Sequence, residues 1–237
     1  MSAMATRFEL VLPADLGDWR AIGESALATI DEWHTRLNRF AADSWVSHVN
    51  RTAHHTPIVC DEPTWDLLCD AHDVWRQSGG AFDVTRGHGD ALMLDPLRRT
   101  VAFARLGVAL DFGGIAKGHA IDCAVAQLQA AGVRSAFLHG GTSSGAGVGQ
   151  TPDGRPWTVV VASGGPRLAL NDETFSVSDA AAQERPHIDG SAGVVSAGRA
   201  VVCGRSARLT DAWSTATVVL GRVPDAVPDG YLARIYT

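Results

Sequence analysis

Apolar residues recur at three- and four-residue steps through the first third of this chain, and that rhythm stops at Gly79-Gly80. Trp19, Ile22, Ala26, Ile30, Trp33 and Leu37 form one stripe, with Asp18 at a helix N-cap position before it. Trp65, Leu68, Cys69, His72 and Trp75 form a second, closed by paired glycines that suit a helix C-terminus. Short runs rich in β-branched and aromatic residues follow, parted by Gly, Pro and Asp clusters. Residues 101–103, 108–112, 135–139, 157–162, 167–170 and 200–203 read as strands, as do 7–12 near the start and 231–236 at the end. Two helices interrupt them, at about residues 118–131 and 209–220, the first with Ile121, Ala124, Val125 and Leu128 inward. Helices segregated from strands predict an α+β fold with mixed or antiparallel sheets, not a regular βαβ series. No repeat, low-complexity tract or long linker divides residues 1–237, so one domain is expected.

Composition narrows the function classes. An apolar fraction of 46% with 19% charged residues is that of a globular chain. A formal net charge of −6 argues against an extended nucleic-acid surface. It leaves room for a local phosphate site, because one site can oppose the overall sign. Cys60, Cys69, Cys123 and Cys203 include no C-x-x-C pair, so a zinc site is not expected. Cys69 and Cys123 lie in apolar periodic stretches and are expected to be buried thiols. No apolar run approaches membrane-spanning length, and the N-terminus lacks the pattern of a signal peptide. A cytoplasmic protein without membrane contact is the expectation.

Four segments carry candidate chemistry. In residues 110–122 a strand runs into Gly113-Gly114, then Lys117, then a helix. Glycines admit close backbone approach, and a helix N-terminus with a lysine suits phosphate. The plain alternative is a strand-to-helix turn. In residues 210–217, Asp211 and Thr215 stand four apart, so a helix puts both oxygens on one face. That hard-oxygen pair suits Mg²⁺; the alternative is a helix start with Thr210 or Asp211 as cap. Gly141-Thr-Ser-Ser-Gly145 matches the G-x-S-x-G nucleophile elbow, but Gly147, Gly149 and Pro152 oppose the helix that elbow needs. His187, in a polar loop bounded by Pro186 and Gly190, is a candidate base or an ordinary surface histidine. His54 and His55 read as solvated, and His34 and His72 as packing residues.

Taken together and in order, these segments resemble the ApbE family of FAD:protein FMN transferases. The resemblance runs through Met4-Ala-Thr-Arg-Phe-Glu-Leu10, the stretch from Leu37 to Asn50, Gly79-Gly-Ala-Phe-Asp-Val-Thr85, Asp111-Phe-Gly-Gly-Ile-Ala-Lys-Gly-His-Ala-Ile-Asp122, His187 with Asp189, and Asp211 with Thr215. Phe40 stands where many members carry tyrosine, and His139-Gly-Gly-Thr-Ser143 replaces N-x-G-G-D.

The resemblance implies a T-fold-like α+β domain that binds FAD with Mg²⁺ and cleaves its pyrophosphate. FMN would pass to a threonine hydroxyl of an acceptor flavoprotein, and AMP would leave. Met4, Phe40, Ala81, Phe82, Asp83, Asp111, Lys117 and Ile188 would line the FAD site. The Gly114 carbonyl, Asp211 and Thr215 would hold the metal, and His187 would be the base, with Asp211 essential to catalysis. Hydrolysis of FAD to FMN and AMP, or FAD binding without catalysis, are the alternatives.

Overall fold

A computed structural model of the protein describes residues 1–13, 17–161, 167–180, 188–189, 193–194 and 198–236, with backbone pairing alone at 188–189 and 193–194. Its elements run β1 (Ser2–Ala3), β2 (Thr6–Val11), α1 (Trp19–Leu37), α2 (Trp45–Thr52), β3 (Ile58–Val59), α3 (Glu62–Gln77), β4 (Leu92–Asp95), β5 (Thr100–Phe103) and α4 (Ala116–Ala130). Then come β6 (Ser135–Gly140), β7 (Ser144–Gly149), β8 (Trp157–Val160), β9 (Arg167–Leu170), β10 (Glu173–Asp179), β11 (Ile188–Asp189), β12 (Gly193–Val194), β13 (Arg199–Gly204), α5 (Ala207–Leu220) and β14 (Leu232–Tyr236).

The expected α+β architecture is present. Seven strands form one sheet in the order β1-β2-β6-β7-β10-β13-β14, and every pairing in it is antiparallel. A three-stranded sheet, β3-β5-β4, and the hairpins β8-β9 and β11-β12 stand beside it. Helices α4 and α5 lie on one face of the large sheet, α1 packs on α4, and α3 packs on α5. The main core fills the space between, from Phe8, Leu138 and Val202 on strands to Ile30, Ile121, Leu128 and Trp213 on helices. Fully burying each such large side chain contributes roughly 1.5–3 kcal/mol. A smaller cluster of Val161, Leu170, Phe175 and Val201 covers the opposite sheet face. Among the described residues no helix is long and apolar enough to cross a membrane.

Several local expectations need correction. Asp18 precedes α1 as expected, but its side chain makes no cap bond. Helix α3 starts at Glu62, capped by Asp61, and buries Thr64, Leu67, Leu68, Ala71 and Val74. The stripe of Trp65, Cys69, His72 and Trp75 is its half-buried flank; indole and imidazole rings keep a polar tip near water. Cys69 and Cys123 are likewise half-buried, whereas Cys60 is buried.

Residues 108–112 do not form a strand. The Asn50 amide takes the place of a neighbouring strand there. Its Nδ2 donates to Leu110 O at 3.0 Å, and its Oδ1 accepts from Leu110 N at 2.7 Å. Conversely, glycine-rich residues 144–149 form β7 in the middle of the sheet. A Cβ on Gly145 would lie 2.6 Å from the Phe175 ring, and one on Gly147 3.0 Å from Leu170. These glycines therefore admit large side chains from neighbouring strands.

His119 on α4 is a buried histidine, stacked edge-on against Trp33 at 4.1 Å, with Arg208 Nη1 3.3 Å from its Nδ1. Burial, reinforced by the charges of Arg208 and Arg36, pushes its pKa down to about 3. Unfolding releases it to its ordinary value near 6.5. Above pH 6.5 the ring is neutral in both states and its contribution is fully present. Between pH 6.5 and 3 only the unfolded chain takes up the proton, so stability is lost as pH falls. Urea unfolding should show this as a loss of up to about 1.4 kcal/mol per pH unit below pH 6.5. His119→Gln should flatten that slope.

Candidate active site

The site is built where α4 crosses α5. At Gly118 the helices meet backbone to backbone: a Cβ there would lie 2.0 Å from Ala207 O. Asp122, one turn further along α4, caps the start of α5. Its carboxylate accepts from Ser206 Oγ at 2.7 Å, Ala207 N at 2.7 Å and Arg208 N at 3.0 Å. Burial pushes the Asp122 carboxyl up, against the pull of these donors. Ser206 is the N-cap residue, accepting from Leu209 N, so the reading of Thr210 or Asp211 as cap is wrong. With α5 held in this register, Asp211 points back at the mouth of α4.

Asp211 is 3% exposed. Its Oδ2 accepts from Gly118 N at 3.1 Å and its Oδ1 from Ser176 Oγ at 3.0 Å. Lys117 Nζ stands 3.9 Å from Oδ1, an ion pair without a direct hydrogen bond. Thr215 Oγ1 lies 3.1 Å from Asp211 O and 3.4 Å from Gly114 O. Gly114 is tightly enclosed, since a Cβ on it would meet Thr215 Oγ1 at 3.1 Å and the Phe82 ring at 3.3 Å. Lys117, Gly114, Asp211 and Thr215, from segments about a hundred residues apart, thus converge.

Asp111 anchors the outer edge of the glycine turn. Its Oδ1 accepts from Gly113 N at 3.0 Å, and its Oδ2 pairs with Arg39 Nε at 3.0 Å and Arg86 Nη1 at 3.7 Å. The Arg39 guanidinium lies 4.3 Å from the centre of the Phe40 ring, and Phe40 is 82% exposed. Ala81 and Phe82 are buried. Asp83 spends its carboxylate on its own loop, accepting from Thr85 N, Thr85 Oγ1, Gly87 N and Gly89 N. That loop joins the turn through Asp111 N, which donates to Val84 O at 2.7 Å. Met4 sits in the β1-β2 turn with φ 49, its N–H donating to His34 Nδ1 at 3.2 Å. His187 lies outside the described residues, and of Ile188 only the pairing with Val194 is described.

In the elbow-like 141–145 segment, residues 141–143 are the β6-β7 turn and Ser144-Gly145 open strand β7 rather than a helix. Ser143 Oγ donates back to Gly140 O at 3.3 Å. Arg39, Arg86, Asp122, Ser176 and Gly118 had no assigned role in the sequence reading. The alternation of Ser176 and Ser178 with Phe175 and Val177 was the signal available for the serines.

The donor set fits a hard divalent cation. Among the described residues no three His, Cys, Asp or Glu side chains gather. A cation here would have one carboxylate, a hydroxyl and a backbone carbonyl, which is how Mg²⁺ is held when substrate phosphates and water complete its octahedron.

A sequence profile of the ApbE family matches residues 4–93 and 88–227. The chain belongs to the ApbE family. Its fold matches the ApbE protein of Thermotoga maritima at TM-score 0.83 and 21% identity, over 99% of this chain and 92% of that one. The flavin transferase ApbE of Vibrio cholerae matches at TM-score 0.80 and 16% identity, over 100% and 96%. The apo flavinyl transferase ApbE of Pseudomonas stutzeri matches at 0.77 and 19%, over 98% and 96%. No curated protein matches by sequence. Residues 111–122, within the matched region, supply Gly114, Lys117, Gly118 and Asp122 to the crossing.

Gly118→Ala should force α4 and α5 apart and cost about 1–3 kcal/mol, the range for overpacking a tight contact. Chemical denaturation checks the loss. A variant as stable as the wild type would mean that the crossing yields without strain.

Proposed function

We propose that this chain is a flavin transferase that moves FMN from FAD to a threonine hydroxyl of an acceptor flavoprotein, releasing AMP and using Mg²⁺. The observation that carries this reading is the buried carboxylate of Asp211 beside Lys117, Thr215 Oγ1 and Gly114 O. Membership of the ApbE family and the flavin transferase names of its structural neighbours support it.

The reaction forms a bond from the threonine oxygen to the FMN phosphorus and breaks the pyrophosphate bridge, whose oxygen leaves with AMP. Little covalent work falls to the protein, so positioning and charge neutralisation dominate. The Gly113-Gly114 turn leads the phosphates to the N-terminus of α4, where the helix dipole favours anions. The N–H groups of Gly113, Ile115, Ala116 and Gly118 already bond Asp111, Phe112 O and Asp211, so the dipole and Lys117 carry the attraction. Lys117 adds a full positive charge at that mouth. Asp211, Thr215 and the Gly114 carbonyl would hold the cation. Bound there, it would screen phosphate charge and act as a Lewis acid. Phe40 offers an exposed ring for the flavin, with Met4, Ala81, Phe82, Asp83, Asp111 and Ile188 assigned to the same substrate. His187 is the assigned base, taking the proton from the attacking threonine.

Protein supplied with FAD, Mg²⁺ and an acceptor flavoprotein should release AMP and leave FMN on an acceptor threonine, read by mass spectrometry; EDTA should stop both. AMP without any adduct would make the chain a hydrolase, and no AMP would leave a binding protein. Asp211→Ala should abolish turnover, since it removes the carboxylate of the donor set. His187→Ala should slow transfer roughly 10²–10⁴-fold as befits a general base. An unchanged rate would return His187 to the surface.

A further inference from the structure

We infer that Ser176 is a positioning residue that holds Asp211 off Lys117 and so keeps its carboxylate open to the cation. This rests on Asp211 as a cation ligand, and it names the device that makes one carboxylate sufficient.

Ser144, Ser176, Ser178 and Ser214 are all buried under the site. Hydroxyl groups in such a place are costly unless each finds a partner. Here they form a chain. Ser178 Oγ is 2.9 Å from Ser214 Oγ, Ser214 Oγ is 3.2 Å from Ser176 Oγ, and Ser176 Oγ is 3.0 Å from Asp211 Oδ1. Ser144 Oγ adds a second approach to Ser176 at 3.4 Å.

Proton counting sets the direction at the end that matters. An ionised carboxylate only accepts, and Ser176 has one proton to give. Its other acceptor, Ser143 O, is neutral and further away at 3.3 Å. The proton therefore goes to Oδ1, the charged and nearer group. Ser176 is then left to accept, from Ser144 Oγ at 3.4 Å or from Ser214 Oγ at 3.2 Å, whose proton also has Asp211 O within 3.0 Å. The Thr215 proton goes to Asp211 O at 3.1 Å, and the Ser178 proton to Ser214 Oγ at 2.9 Å rather than to Thr215 Oγ1 at 3.4 Å, which leaves the Oγ1 lone pairs open to the cation.

The competitor is Lys117. At 3.9 Å its ammonium attracts Oδ1 without a hydrogen bond. With Ser176 on Oδ1 and Gly118 N on Oδ2, each carboxylate oxygen already has a hydrogen-bond donor other than the ammonium. Remove the serine proton, and Oδ1 is left to close on Nζ, where the internal pair satisfies the charge that the cation needs.

Titration of FAD into the protein, in EDTA and across a Mg²⁺ series, tests this by binding alone. In the wild type Mg²⁺ should tighten FAD binding. Ser176→Ala should bind FAD in EDTA as the wild type does, yet need roughly 10–100-fold more Mg²⁺ for half of the tightening, the usual loss for an outer-shell partner. Ser176→Cys, close in shape but a weak donor, carries the same test should the alanine variant not fold. The Lys117→Met change, added to either, should restore part of the lost Mg²⁺ sensitivity. A serine variant with wild-type Mg²⁺ dependence overturns the inference and leaves the transferase reading standing. Loss of FAD affinity in EDTA as large as in Mg²⁺ also overturns it, as a plain packing role would produce that. No Mg²⁺ effect in the wild type would instead sink the cation reading itself.

Discussion

Gly118 lies so close to the Ala207 backbone that a methyl group has no room, and the site is arranged around that contact. Its absent side chain lets α4 and α5 meet, and its N–H becomes a ligand for Asp211. Asp122 secures the same crossing from α4 by capping α5. Two helices that carry Lys117 and Asp211 are thereby set in register. Their separation of 3.9 Å is a property of the crossing, not of either helix.

Charge explains why the arrangement needs such support. A buried carboxylate beside a lysine tends to collapse into a closed pair, since desolvation makes an unpaired charge costly. The structure instead divides the work among Ser176, Gly118 and Lys117. Each satisfies part of Asp211, and none occupies it fully. The outer edge repeats the theme: Asp111 is shared by Arg39, Arg86 and the Gly113 amide, and Arg39 in turn covers the Phe40 ring. The acidic overall balance of the chain, a net charge of −6, coexists with a site edge where Lys117, Arg39 and Arg86 gather, each beside a carboxylate.

Much of the fold was legible along the chain. The period of α1, the closing strand β14 and helices α4 and α5 follow from local pattern, because an amphipathic face repeats within a few residues. Failures fell where a partner distant in sequence replaced the local rule. Residues 108–112 look like a strand, but Asn50 completes their hydrogen bonds in place of a ladder. Residues 144–149 carry no strand pattern of their own, yet they pair in mid-sheet because Phe175 and Leu170 fill the space that their glycines leave.

The sequence by itself determined the α+β class, the family likeness and the residue types fit for phosphate and cation chemistry. The order of motifs was enough for those, since each is a contiguous stretch with its own spacing. Only the tertiary structure decided that Asp211 is a buried group facing Gly118, Lys117 and Ser176 rather than a helix cap. It alone showed Asp83 spent on its own loop and Asp122 spent on α5. A carboxylate's role depends on which donors reach it, and these donors come from strands and helices that sequence spacing does not bring together.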